Sequence, residues 1–284
     1  ISTFMRAHMK RLTAAETLVR TVIRITGREN NGEFQGTGFF MFIPIKDNMG
    51  IPVIISNKHI LCNDQAEEFT FNFSTLYEDK IKRESFPITR KVRDLAIFKH
   101  PKSNVDLAAV VITDVINNRK DVVFEPIPFE WIPKDWEYLD AIEELVMIGY
   151  PFFKGQDSNH NPISRRGITA TSLQNQFNGQ DKFLADIPVY QGSSGSPLFI
   201  FNQTGGQRRS PDGSLTMSLG APRVEFVGIQ SQVFLTDNMV RVERQHHESV
   251  NYLVMQPELP RVSVSSFMNL ASGSSNCRKI KSTI

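Results

Sequence analysis

Short apolar or alternating runs, each bounded by Gly, Pro, Asn or Asp, recur along most of the chain. They are TVIRIT (21–26), GTGFFMFI (36–43), PVIIS (52–56), FTFNF (69–73), DLAIF (94–98), DLAAVVI (106–112), ELVMIG (144–149), KFLADI (182–187), SPLFIF (196–201), VEFVGIQ (224–230) and NYLVMQ (251–256). Their length and their Phe, Val and Ile content predict β-strands. Good helix formers cluster at 12–19 (LTAAETLV), where Thr13 supplies an N-cap and a short helix is expected. About ten short strands with so little helix predict an all-β barrel or sandwich and exclude helical bundles and βαβ folds.

The runs fall into two sets. The first occupies residues 20–113 and the second residues 143–257. Between them, 114–142 (with VINNRKD, EPIPFE and WIPKDWEY) is rich in turn residues and aromatics and reads as a connection. Residues 1–19 read as an N-terminal helical extension, in which His8-Met9 has the look of a cloning junction and residues 1–8 read as vector-derived. Residues 258–284 read as a C-terminal extension, partly flexible, with a Ser-rich basic tail from 272. The stretch 203–222 is rich in Gly, Ser and Pro and predicts an exposed loop.

Composition narrows the partners. With 32 Lys and Arg against 30 Asp and Glu, the net charge of +2 offers no broad footprint for nucleic acid or anionic lipid, so neither partner is expected. The pairs Arg165-Arg166 and Arg208-Arg209 read as solvated loop charge. The two cysteines, Cys62 and Cys277, form no CxxC pair, so neither a metal site nor any other cofactor is expected. So few cysteines fit a reducing compartment, which makes a cytoplasmic location the expectation; a single disulfide and a secreted form with its signal removed are the alternatives. No apolar run reaches the length of about 18 residues that a spanning helix needs.

Three segments carry reactive side chains. Gln191-Gly192-Ser193-Ser194-Gly195-Ser196-Pro197 lies between two strand runs. A serine hydroxyl attacks a carbonyl only with a base beside it and donors for the oxyanion. Small residues around Ser194 let the backbone turn so that the N–H groups of Gly192 and Ser194 converge; a flexible Gly/Ser turn would have the same composition. In Val53-Ile54-Ile55-Ser56-Asn57-Lys58-His59 an imidazole follows a strand end, where it can serve as general base. Among the chain's 6 histidines, only His59 directly follows an apolar strand. An aspartate must orient that imidazole, and Asp94 and Asp106 both open apolar runs. Residue types alone leave the choice open.

Taken in order, these motifs resemble the chymotrypsin/trypsin-like serine proteases, closest to the bacterial glutamyl-endopeptidase and HtrA-like branches. The resemblance rests on Gly36-Thr37-Gly38-Phe39, Ser56-Asn57-Lys58-His59, Asp106-Leu107-Ala108, Gly149-Tyr150-Pro151, Gly192-Ser193-Ser194-Gly195-Ser196-Pro197 and Gly228-Ile229, over roughly residues 20–257. It implies two six-stranded antiparallel β-barrels and a serine endopeptidase acting on protein or peptide through His59, Asp106 and Ser194. It also implies an oxyanion hole at Gly192 and Ser194. It favours Asp106 over Asp94 because Pro101-Lys102-Ser103-Asn104-Val105-Asp106 has the form of the HtrA segment that carries the acid. The resemblance puts Val189, Tyr190, Gln191, Gln230, Ser231 and Gln232 along the specificity pocket, without the acid that selects Lys or Arg or the Thr and His that select Glu. An uncharged substrate residue is the expectation.

Ser193 departs from the family, since trypsin-type enzymes carry an Asp there that pairs with a freed N-terminus. Ile1 is therefore not read as an activated terminus, and any regulatory partner is unknown. Two rival readings compete with this one. An α/β-hydrolase in the order Ser194, Asp237, His246 or His247 needs a Gly where Ser196 stands, and lacks βα alternation. A degenerate protease fold that only binds peptide remains the alternative reading.

Overall fold

A computed structural model describes residues 12–30, 32–46, 49–77, 80–119, 121–152, 161–210, 212–234 and 252–255. The chain begins with helix α1 (Ala14–Leu18), closed by a capping box in which Thr13 accepts from the Glu16 N–H and the Glu16 carboxylate accepts from the Thr13 N–H. The strands β1 (Val22–Glu29), β2 (Gly32–Lys46), β3 (Met49–Ser56), β4 (Glu68–Tyr77), β5 (Lys80–Lys91), β6 (Ile97–Lys99) and β7 (Ala108–Val111) follow, with the one-turn helix α2 (Lys58–Leu61) between β3 and β4. They form one antiparallel sheet in the order β5-β4-β1-β2-β3-β7-β6. Helix α3 (Thr113–Asn118) leads into the connection.

The second set comprises β8 (Glu144–Gly149), β9 (Ile163–Thr169), β10 (Phe183–Asp186), β11 (Pro197–Asn202), β12 (Gly205–Arg209), β13 (Leu215–Leu219), β14 (Arg223–Phe234) and β15 (Tyr252–Met255). Six of them close a barrel in the order β10-β15-β14-β11-β8-β9, and β12 pairs β13 in a separate hairpin.

Side-chain alternation divides the apolar residues among three cores. On β2 and β3, Phe40 and Ile54 face the interior of the first sheet, while Phe39, Met41, Val53 and Ile55 face away from it. On β11, Leu198 and Ile200 fill the barrel, while Phe199 points out. The outward residues meet in a core shared by both halves, where the Phe39 and Phe199 rings lie 5.4 and 5.6 Å from that of Phe226. This core holds the two halves face to face and sets the seam on which the site sits.

Three expectations need correction. The all-β class with two antiparallel sheets holds and only the strand count differs: the first sheet has seven strands and, among the described residues, is not closed as a six-stranded barrel, since β6 adds a three-residue edge beside β7 and β5 pairs only β4. The stretch 203–222 is the β12–β13 hairpin; its strands are polar on one face and were hidden by their turn residues. Arg165-Arg166 lies on strand β9 and is not loop charge. Strands β5 and β9 escaped the sequence reading because KIKRESFPITRK and ISRRGIT lack an apolar run. No helix among the described residues is long and apolar enough to cross a membrane.

Candidate active site

Strand β3 is buried through Val53, Ile54 and Ile55, so its end at Ser56 is fixed by packing on both faces. The Ser56 hydroxyl donates to the Thr37 carbonyl on β2 at 2.6 Å. Asn57 then turns the backbone into α2, and its side-chain amide donates to the Asp106 carbonyl at 3.0 Å. His59 is the second residue of that single turn and is half exposed.

Asp106 holds His59 at two points. Its Oδ2 lies 2.6 Å from the imidazole Nδ1, and its Oδ1 accepts the His59 backbone N–H at 3.1 Å. The carboxylate thus fixes both the ring and the chain that carries it. The competing acid, Asp94, ends a 3-10 turn (Val92–Asp94), is 59% exposed and faces Arg93 at 3.8 Å. Of the two aspartates, the structure brings only Asp106 to His59.

The segment 187–196 enters the seam from the other side. It closes two tight turns, Ser193 N–H donating to the Tyr190 carbonyl at 3.0 Å and Ser196 N–H to the Ser193 carbonyl at 2.9 Å. Gly192 and Gly195 supply the left-handed backbone these turns need, at φ +86° and +85°. The Thr37 N–H donates to the Ser194 carbonyl at 2.8 Å. The Thr37 hydroxyl accepts from the Tyr150 N–H at 2.9 Å and donates to the Gly192 carbonyl at 3.0 Å. On the barrel side, Gly195 N–H donates to the Gln230 carbonyl and Gln230 N–H to the Ser196 carbonyl.

The loop is therefore held by both halves, and the N–H groups of Gly192 and Ser194 donate to no acceptor among the described residues. Two backbone donors flanking a serine are what a developing oxyanion requires. No hydrogen bond joins His59 to Ser194; the two residues are tied through Ser56, Thr37 and the Ser194 carbonyl. Ser56 and Thr37 lie inside the Ser56-Asn57-Lys58-His59 and Gly36-Thr37-Gly38-Phe39 motifs, but nothing in their residue type announces this clamp.

The residues expected along the specificity pocket divide by exposure. Val189, Gln230 and Ser231 are buried, whereas Tyr190, Gln191 and Gln232 are exposed. Gln232 accepts from Lys182 Nζ at 3.1 Å, and the Gln191 carbonyl accepts the Phe152 N–H at 2.6 Å. A charge that the sequence reads as solvated lies buried beside them: the Arg165 guanidinium sits 5.9 Å from the Tyr190 ring centre. Burial lowers its pKa to about 10, against a smaller opposing pull from Tyr190. Among the described residues no group of three or more His, Cys, Asp and Glu is placed to hold a metal ion.

Residues 36–206, more than half of the chain, match the model of the trypsin-like peptidase domain. No curated protein matches the chain in sequence. Solved structures match it in fold. The tobacco vein mottling virus protease is 15% identical with a TM-score of 0.50, the match covering 97% of this chain and 93% of that one. The tobacco etch virus protease complexed with product is 14% identical with a TM-score of 0.49, covering 89% and 80%. A thermostable serine protease from an extremophilic microorganism is 14% identical with a TM-score of 0.46, covering 85% and 92%.

Proposed function

The chain belongs to the trypsin-like peptidase family, and from that membership we propose that His59, Asp106 and Ser194 form a triad that cleaves peptide bonds through an acyl-enzyme. The observation that carries the reading is the two-point hold of Asp106 on His59, at 2.6 Å to Nδ1 and 3.1 Å from the backbone N–H.

With Nδ1 bonded to the carboxylate, the neutral imidazole carries its proton there and offers Nε2 as a base. Nε2 takes the Ser194 proton as Oγ bonds to the substrate carbonyl carbon. The carbonyl oxygen becomes an anion facing the Gly192 and Ser194 N–H groups. When the tetrahedral adduct collapses, the C–N bond breaks and the leaving amine takes the proton from His59. Water, deprotonated by the same ring, then attacks the ester and releases the acid and Ser194. These steps need a hydrogen bond between His59 and Ser194 that forms as substrate is bound.

Protein or peptide is the substrate class. Ser194→Ala is expected to lower turnover by about six orders of magnitude. A fluorophosphonate should label Ser194 in the wild type and not in His59→Ala. A Ser194→Ala enzyme within about tenfold of wild type would end the triad reading, and a wild type that takes no label would favour the binding-module alternative.

A further inference from the structure

We propose that Arg165 is a positioning residue that holds the oxyanion loop, residues 188–194, in its working shape before substrate arrives. The proposal rests on the triad reading above. It starts from where β9 puts the side chain. Arg165 pairs with Met147 on β8, and cross-strand partners share a face. Met147 belongs to the barrel core, so Arg165 points into the barrel while Arg166 points out to Glu144.

A guanidinium inside a barrel is costly unless hydrogen bonds replace its water. Arg165 is 8% exposed, and no carboxylate pairs with it among the described residues. Its hydrogen-bond partners among the described residues are both on the oxyanion loop, and Nη1 alone reaches them. Nη1 donates to Ser193 Oγ at 2.7 Å and to the Pro188 carbonyl at 3.2 Å. The same Ser193 oxygen accepts the Tyr190 N–H at 3.3 Å. One cation thus gathers the start, middle and end of the loop, through a hydroxyl on a fully buried residue.

Ser193 stands between the two oxyanion donors. The Gly192 N–H precedes it and the Ser194 N–H follows it, so the backbone angles at Ser193 set the angle between those donors. Fixing its side chain fixes the aim of the hole. Every partner in the clamp is internal, so the loop is preorganised without a ligand. A planar guanidinium can span two acceptors from one nitrogen fork; an ammonium is a single point charge on a flexible stem.

The test is the rate at which a fluorophosphonate labels Ser194 in the full chain, measured with near-UV circular dichroism on the same samples. Ser193→Ala should slow labelling by about tenfold and Arg165→Ala by about a hundredfold. Both should lower kcat more than they raise KM. Guanidinium ion at millimolar concentration should restore labelling in Arg165→Ala by about tenfold, and methylammonium should not. If Arg165→Ala does not fold, Ser193→Ala decides the question alone. A wild type that labels, with Ser193→Ala labelling at the same rate and no guanidinium rescue in Arg165→Ala, overturns this proposal and leaves the triad intact. A wild type that takes no label overturns the triad, and this proposal with it.

Discussion

Gly195, directly after Ser194, shows how little room the seam leaves. Its φ of +85° lies in the left-handed region, and a Cβ there would run into the Thr37 carbonyl oxygen and the Ser56 hydroxyl. Those two groups are hydrogen-bonded to each other at 2.6 Å, so neither can retreat alone. Gly195→Ala is expected to cost about 2–4 kcal/mol of stability. By displacing Ser194 it should also lower kcat by about a hundredfold. Chemical denaturation and steady-state kinetics on the one variant check both. At this scale the sequence made legible what a residue type and its immediate neighbours declare. His59 stood at a strand end and Ser194 among small residues. It could not choose between Asp94 and Asp106 without the family resemblance, because each opens an apolar run and only the fold decides which reaches the imidazole. It misread Arg165, since two adjacent arginines look alike until a strand turns one inward and the other outward.

The loop between β6 and β7 delivers Asp106, and it is built around a histidine. The His100 N–H donates to the Leu107 carbonyl at 2.8 Å, and its Nδ1 accepts the Lys102 N–H at 3.3 Å. Lys58 Nζ donates to the Lys102 carbonyl at 2.8 Å, tying the loop to α2. Burial, and then the Lys58 ammonium, hold the His100 pKa below its ordinary 6.5. As pH falls below 6.5, the unfolded chain takes up a proton that folded His100 refuses. The folded state therefore loses stability between that pH and the lower folded pKa. Wild-type Tm should drop on mild acidification by more than that of His100→Asn, whose amide oxygen can still accept the Lys102 N–H. Equal slopes of Tm against pH in calorimetry would refute this. Elements with an apolar run were legible before the structure, whereas β5, β9 and the β12–β13 hairpin were not. Their pairing comes from neighbouring strands and owes little to their own composition, which is why a tertiary view was needed to find them.

Across the whole molecule, one core joins what the chain presents as two sets of strands. Phe39 and Met41 from β2, Phe199 from β11, Phe226 from β14 and Ile127 and Ile132 from the connection pack together, with the Trp131 ring 6.3 Å from that of Phe199. The connection is stitched in by the Ile127 N–H, which donates to the Phe40 carbonyl at 2.9 Å. The seam that carries His59 and Ser194 lies along this shared core, because Thr37 and Phe39 are two residues apart on β2 and Ser194 lies just before β11, which carries Phe199. Neither half can keep its outward apolar face dry without the other, so the chain is expected to unfold in one step. Phe226→Ala removes the ring that touches both Phe39 and Phe199 and should cost about 3–5 kcal/mol. In urea, tryptophan fluorescence, which reports on Trp131 in the shared core and on Trp136 against the barrel core, should fall together with the labelling of Ser194, at a midpoint shifted down in the variant. Loss of labelling well before the fluorescence change would mean that the two halves separate while each stays folded. The shared core would then be a docking surface between independent barrels, and the alignment of His59 with Ser194 would depend on an interface weaker than the packing of its rings implies.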